Sequence, residues 1–527
     1  MTTLAANPFT TLDWLVIAAY FGALVGTGTY FAWKARRIAS ASAFFSGDHT
    51  MPVWAVAISI LATAQSAATF TGVPEQGYNN DLRYLATNLG SIIAAIILAR
   101  VFIPAYYRKN VTTPYQLLET RFGPGAKLAT SIAYMLGRVF ASGARVYVGA
   151  IPVSMAVFGD VSGEHLAISI GAFMVFGVLY TLAGGINSVI WTDVLQVCVY
   201  LGAAAAAIVW LCTRVTAPWS EVLAAVEVGT KTGTSKLNLW PNDWTWATDM
   251  NLATILTGFV LIALASHGTD QDLVQRMLTC KSAAKGSWSV ISGVLIGIPA
   301  VAAFSILGIL LWVYYQRPGL MGDPTRVAPS GESSGVFLEF ILSQMPPGFA
   351  GLMVAGVLAA GPAGINSSLN SMGSTLVNDV YRTFRPDRPD RHYILAGRWA
   401  IAFWGVILGL FALACIPWRA QAGQDIINFV LSVMNFAYAG LLGVFFTALF
   451  TRRGTTASCI AAMVVGFITV LLLRREIWTA WTGALGLESW SAFKLAWPWH
   501  LVIGTITASL TAAIPRGKRE TLAHPNP

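Results

Sequence analysis

The sequence predicts an all-α polytopic membrane protein, and three observations carry that prediction. Of 527 residues, 55% are hydrophobic and only 11% are charged, where an ordinary soluble domain carries about 25% charge. Apolar runs of roughly 20 residues recur along the chain, the length at which a helix rising ~1.5 Å per residue crosses ~30 Å of hydrocarbon. The 19 tryptophans suit a protein with two headgroup interfaces, where an amphipathic ring sits between lipid and water.

Thirteen transmembrane helices are expected, near 12–33, 52–73, 85–105, 126–157, 165–183, 187–212, 251–273, 286–314, 348–378, 392–416, 427–450, 455–473 and 497–514. The opening segment MTTLAANPFTTLDW has neither a basic stretch nor a small-residue cleavage site, so the first run is expected to be a retained helix. Loops on one side hold about 19 Lys and Arg against about 10 on the other. The positive-inside rule then puts the N-terminus outside and the C-terminus in the cytoplasm, in a multi-pass protein of the cell (inner) membrane. The polar segments 213–250 and 315–347 contain Gly and Pro and are expected to cap the bundle. Only PRGKRETLAHPNP follows the last run, so 1–527 is expected to form a single transmembrane domain.

Composition also excludes functions. The net charge of +9 is scattered over short loops, which is not the stripe or tail that binds nucleic acid. The five cysteines lack metal spacing and sit mostly in apolar runs, as small core residues do. HExxH, paired carboxylates on one span and a catalytic cysteine context are all missing from the sequence, so no enzyme is expected.

Two spans carry interruptions. Gly72 and Pro74 in SAATFTGVPEQGY are expected to break the second helix, and Gly268 in ALASHGTDQD the seventh. Four complete spans separate the two. Broken helices at matching places in two halves expose peptide groups near the membrane midplane, where an ion and a solute can bind. The competing reading is that Gly and Pro merely kink packed helices.

Charges inside spans narrow the site further. Arg138 and Arg145 are seven residues apart and share a helix face. Each must line water, protein or an anionic solute, whose carboxylate a guanidinium fork fits; the alternative is an internal pair with Glu75, Asp81 or a helix C-terminus. Asp193 needs a cationic partner or a proton, unless it is a helix N-terminal acid at the interface. His267, beside the second interruption, is either a proton shuttle or a satisfied packing group.

Several spaced motifs carry a resemblance. They are FFSGDHTMPVWAVAISILATAQSAATFTGVPEQGY (44–78), TTPYQLLETRFG (112–123), LYTLAGGINSVIWTDVLQ (179–196), GTDQDLVQRML (268–278) and LNSMGSTLVNDVY (369–381). In this order they resemble the sodium/solute symporter family, which includes bacterial sodium–galactose, sodium–proline and sodium–sialic acid carriers. The resemblance implies a leucine-transporter-type 5+5 inverted-repeat core, with repeats at 52–212 and 251–450. An extra N-terminal helix at 12–33 precedes it, and two C-terminal helices at 455–514 follow.

The activity so implied is secondary active transport, the symport of a small organic solute by alternating access with sodium as coupling ion and no other cofactor. Ion ligands would come from Ala62 and Gln65 on the broken helix and from Ala360, Ala363 and Gly364 near LNS. Relatives carry two adjacent hydroxyls where this chain has Ala363 and Gly364, so the main sodium site is altered. A proton-coupled or uncoupled carrier of the same fold is therefore the alternative, with Asp193 holding the proton; a solute sensor is a more distant one. A second cation would use Asp193, Asn366 and Ser367. Solute contacts fall on Ser66, Thr69, Asn88 and Arg145, the last favouring a carboxylate and Asn88 also suiting a sugar. Asp270, Gln271 and Arg276 resemble an inner gate, although interface anchoring would equally explain Arg276. Solute identity and oligomeric state are not legible.

Overall fold

The structure, a computed structural model, describes residues 10–35, 47–65, 67–183, 186–230, 233–240, 244–326, 336–422 and 426–514. These residues are helical throughout their ordered elements. The main helices are α1 (Thr11–Ala35), α2 (Val53–Ala64), α3 (Ala67–Asn79), α4 (Arg83–Lys109), α5 (Pro114–Phe122), α6 (Pro124–Phe158), α7 (Gly163–Ala183), α8 (Ile186–Thr213) and α9 (Trp219–Glu227). They continue with α10 (Leu252–Thr269), α11 (Gln271–Leu278), α12 (Ala283–Gln316), α13 (Val336–Gln344), α14 (Phe349–Phe384), α15 (Asp390–Ala422), α16 (Ile426–Phe450), α17 (Thr456–Leu473), α18 (Arg475–Ala484) and α19 (Trp497–Ala513). A helix occupies each segment where a span is expected. By length and apolarity 8 of them can cross a membrane, or 10 when α2 with α3, and the two parts of α16, bent by 51° between Phe436 and Tyr438, are each counted as one span. Large apolar side chains such as Leu179, Val209, Val406 and Leu510 are exposed on the outside of the bundle, the surface lipid covers.

Helix pairing follows a pattern. α2 and α3 pack on α12, as α10 packs on α4; α6 packs on α16, as α8 packs on α14. Lipid tails are as apolar as leucine, so close backbone packing replaces the hydrophobic drive between helices. A Cβ on Gly308 would meet the Pro74 carbonyl oxygen at 2.2 Å, and one on Gly77 would meet the Ser305 oxygen at 2.4 Å. Outside this core, α1 is held by Asp13, whose Oδ1 accepts from the Gly348 and Gly351 amides at 2.8 and 2.7 Å. A carboxylate thereby caps the N-terminus of α14. On the same rim, Lys236 from the 213–250 segment donates to the carbonyls of Gly77, Tyr78 and Asn80 at the end of α3, at 3.3, 2.7 and 2.9 Å.

Two chain breaks organise the interior, and the first is not where the sequence suggested. α2 and the helix after it bend by 62°, and the break falls at Gln65, whose backbone is extended (φ −89°, ψ 150°). Gly72 and Pro74 lie inside the continuous α3. Pro74 removes one hydrogen bond, to the carbonyl four residues earlier, without ending the helix, because α12 packs directly against it through Gly308. The second break is close to its expected place. A π-helical turn at Ala265–Thr269 leads to Asp270, which is extended (φ −89°, ψ 119°) and caps α11 through the Asp272 amide. Gly268 serves close packing there, since a Cβ would meet Leu98 Cδ2 at 2.7 Å.

Candidate functional site

A cavity of about 170 Å³ lies between the two breaks. Its walls come from the end of α2, from α3, the start of α4, α6, α10, α12 and α16. Gln65, Thr69, Asn88 and Arg145, four of the expected site residues, line it together. Ser66 lies outside the described residues. Thr63, Thr87, Ser91, Ser266 and Tyr438 add hydroxyls, while Phe259, Val294, Val301, Leu431 and Met434 make an apolar side. No carboxylate is among the described lining residues. Asn88 donates to the Leu85 carbonyl at 2.9 Å. Gln65 is fixed by the Tyr200 hydroxyl, 2.8 Å from its Oε1.

The two arginines of α6 have different fates. Arg138 is 4% exposed and bound to Asp270 at 2.6 Å and to Asp272. Its partners are thus the acids of the second break, where Glu75 or Asp81 had been the alternative; Asp81 instead pairs with Arg83 at 2.7 Å. Arg145 reaches only the Thr63 carbonyl at 3.3 Å and the Met434 sulfur at 3.8 Å. Its Nε is buried without a partner, and among the described residues no carboxylate lies within ion-pair distance. A guanidinium so placed is open to water or to an anion in the cavity.

Arg138 belongs to a buried network on one side of the cavity. Arg276, 0% exposed, holds Asp193 at 2.9 Å and Asp272 at 3.0 Å. Full burial overturns the interface-anchor reading of this arginine. Ser59 bridges Asp193 and the Arg276 Nε, Ser368 takes two bonds from Arg138, and Tyr438 donates to Asp270. Three carboxylates against two guanidiniums leave one negative charge in excess when all are ionised. Asp193 therefore has the cationic partner a buried acid requires, which removes the reason to make it the proton carrier. Asn366 and Ser367 are not among its hydrogen-bond partners; Asn366 accepts from Thr181 at 3.1 Å.

At the second break the backbone is held by side chains: the Tyr106 hydroxyl donates to the Gly268 carbonyl and the Tyr115 hydroxyl to that of Thr269. Gln271 donates to the Thr112 carbonyl at 3.2 Å. Asp379 accepts from Thr113, Ser131 and Gln116 at 2.7, 3.1 and 3.3 Å. TTPYQ, GTDQD and NDVY thus meet at this end of the bundle. His267 Nδ1 faces the Ser266 hydroxyl at 2.9 Å and the Ala263 carbonyl at 3.1 Å, local partners of the kind a packing histidine has.

The expected ion positions at Ala62, Ala360, Ala363 and Gly364 lie on α2 and α14, which pack on each other. Ala62 and Ala360 share one buried cluster. Ala62 stands in the last turn of α2, where carbonyls lack an intrahelical partner. Ala363 belongs to α14. Gly364 is buried, yet a Cβ there would meet nothing within 4 Å, and the nearby Ser367 Oγ is buried without a partner. These positions fit a small cation that takes its oxygens from backbone and serine.

Sequence reasoning missed Ser59, Asp272 and Tyr438. Asp272 carried a signal, as the second acid of TDQD beside a buried arginine. The hydroxyls carried none, since serines and tyrosines recur throughout the spans.

Known proteins share this fold. The chain is 29% identical over 479 residues to the sodium/sialic acid symporter NanT of Aliivibrio fischeri, covering 89% of each. It is 27% identical over 518 residues to the sodium/sialic acid symporter SiaT of Proteus mirabilis, covering 96% of each. The fold matches that of a sodium-coupled sialic acid symporter in a substrate-bound, outward-open state, with TM-score 0.79 and 24% identity over 97% of this chain and 99% of that one. It also matches the nucleobase-cation-symport transporter Mhp1, with TM-score 0.51 and 16% identity over 89% of this chain and 93% of that one. The model of the sodium:solute symporter family matches residues 44–466, and with so much of its length covered the chain belongs to that family.

Proposed function

We propose that this sodium-coupled symporter carries a monoanionic, hydroxyl-bearing carboxylate through the cavity between the two breaks, by alternating access. Arg145 is the observation that carries the proposal: a buried guanidinium beside the cavity with an unsatisfied Nε and no carboxylate partner among the described residues. Arg138 is already neutralised by Asp270 and Asp272, so a single positive charge awaits the solute. With no carboxylate in the described lining, an ammonium group would find no counter-ion, which argues against zwitterionic amino acids. Thr69 and Asn88, and Ser66 from its sequence position, supply hydrogen bonds to hydroxyls. A sialic acid, the solute named for two relatives, is an acid of this kind.

Sodium binds, in this proposal, between Ala62 and Gln65 on one side and Ala360, Ala363, Gly364 and Ser367 on the other. The excess negative charge of the neighbouring network supports a cation there, since Ser59 lies one turn from Ala62 and the Ser368 hydroxyl donates to the Gly364 carbonyl at 2.7 Å. Asp193, Asn366 and Ser367 form the candidate second cation position, and Asp270 with Gln271 the inner gate. The core is two inverted repeats, 52–212 and 251–450, within thirteen spans. In support, each half opens with a broken helix and inserts a short helix, α5 or α13, before its third long one. The paired packing pattern exchanges under the same symmetry. The loop charges support an external N-terminus and a cytoplasmic C-terminus, in an inner-membrane protein.

Uptake into proteoliposomes tests the solute. An inward sodium gradient should drive accumulation of a sialic-acid-type sugar acid and not of neutral sugars or amino acids. Arg145→Ala should weaken binding about ten- to hundredfold, the worth of a charged hydrogen bond of ~1.5–3 kcal/mol. Equal uptake of a neutral sugar, untouched by Arg145→Ala, would remove the proposal.

A further inference from the structure

A second cavity, of about 560 Å³, opens on the outer face of the bundle between α6, α16 and α17. Its lining is wholly apolar, from Ala129 to Phe140 on α6, with Phe436 and Leu441 on α16 and Ile460 to Phe467 on α17. Ile132, Leu136, Ile460 and Val464 are exposed along it, so it faces lipid rather than the transport cavity. α17 and α16 cannot close over it by shifting closer, because Gly440 already abuts α17, where a Cβ would meet Met463 Cα at 2.8 Å.

One end of this groove is basic. Ala129 lies five residues into α6 and Ile460 four into α17, so the groove begins roughly 6–8 Å from the helix starts at ~1.5 Å per residue. At those starts Arg121 donates to the carbonyls of Thr451 and Arg453, each at 3.3 Å, and Thr456 donates to the Phe122 carbonyl. The two helix starts are thereby tied into one rim that bears Arg121, Arg452 and Arg453. Arg452 and Arg453 are exposed. Nearby Glu119 is taken by Lys127 at 2.9 Å, and none of the three arginines has a carboxylate within ion-pair distance among the described residues.

We infer that this groove is a binding site for an anionic phospholipid, with an acyl chain between α6 and α17 and the phosphate on the Arg121, Arg452 and Arg453 rim. Bulk lipid is as apolar as the groove, so the apolar walls position a chain without selecting it. Selection comes from the headgroup, through charge-assisted bonds at a membrane interface. The spacing agrees, since a phosphate at the interface places the first methylenes of its chain a few ångströms deeper, at Ala129 and Ile460. The inference rests on the membrane embedding of the chain and is independent of which solute it carries.

Native mass spectrometry of the full chain, equilibrated with phosphatidylglycerol and phosphatidylcholine of identical chains, tests it. Wild-type protein should retain phosphatidylglycerol over phosphatidylcholine by about tenfold or more. Arg452→Gln with Arg453→Gln should reduce the preference to about twofold or less, and Ala133→Phe, which fills the groove, should lose both lipids. Equal retention of the two lipids by the wild type overturns the site, as does an undiminished preference in the double arginine variant. Undiminished retention in an Ala133→Phe protein of unchanged melting temperature also overturns it. Should Ala133→Phe not fold, the two exposed arginines alone decide.

Discussion

Gly364 occupies a buried helix turn with unfilled space where a side chain would stand. A Cβ fits there without displacing a neighbour, so Gly364→Ser should tighten sodium binding several-fold at little cost in stability. Sodium titrations of melting temperature or of solute binding will read this, and an unchanged sodium dependence would mean that the ion binds elsewhere. The loss of two hydroxyls at 363 and 364 was legible in the sequence as a departure from the family pattern. What could not be read was the space left behind, which depends on helices hundreds of residues away. Arg145 and Arg138 show the same division. Their spacing put both on one inward face, but only the positions of Asp270 and Asp272 decide which one is neutralised.

Among the elements, the helices were legible because each buries or exposes its apolar length as one unit, and every segment long enough to span is helical. The first break was misplaced for a physical reason. Proline and glycine mark where a ladder can be interrupted, whereas α3 runs through both, with α12 packed flush against Pro74; the chain opens instead at Gln65, between small residues that carry no such mark. α1 also proves to be more than a preceding span. Asp13 caps the start of α14, the helix with most of the proposed ion positions, through two amides. Asp13→Ala should lower stability by about 1–2 kcal/mol and loosen α14, which a melt and hydrogen exchange at 348–352 will measure. Unaltered protection of those amides would show that α1 merely lies alongside.

Across the whole molecule, the chain Asp193–Arg276–Asp272–Arg138–Asp270 ties α8, α11 and α6 together, with Ser59, Ser368 and Tyr438 adding α2, α14 and α16. Removing one partner leaves a buried charge uncompensated. Arg138→Met should therefore cost about 3–5 kcal/mol, and adding Asp272→Asn should recover part of it. A double-mutant cycle on thermal stability checks the coupling, and strictly additive losses would refute it. The same linkage makes access to the cavity on this side conditional on parting several helices at once. On the far rim the consequence of Lys236 is different. Its ammonium is fastened to three oxygens at the tip of α3, and those oxygens travel wherever the half-helix travels. Any movement of this half-helix during transport therefore has to carry the 233–240 segment with it, like a hatch riveted to a door.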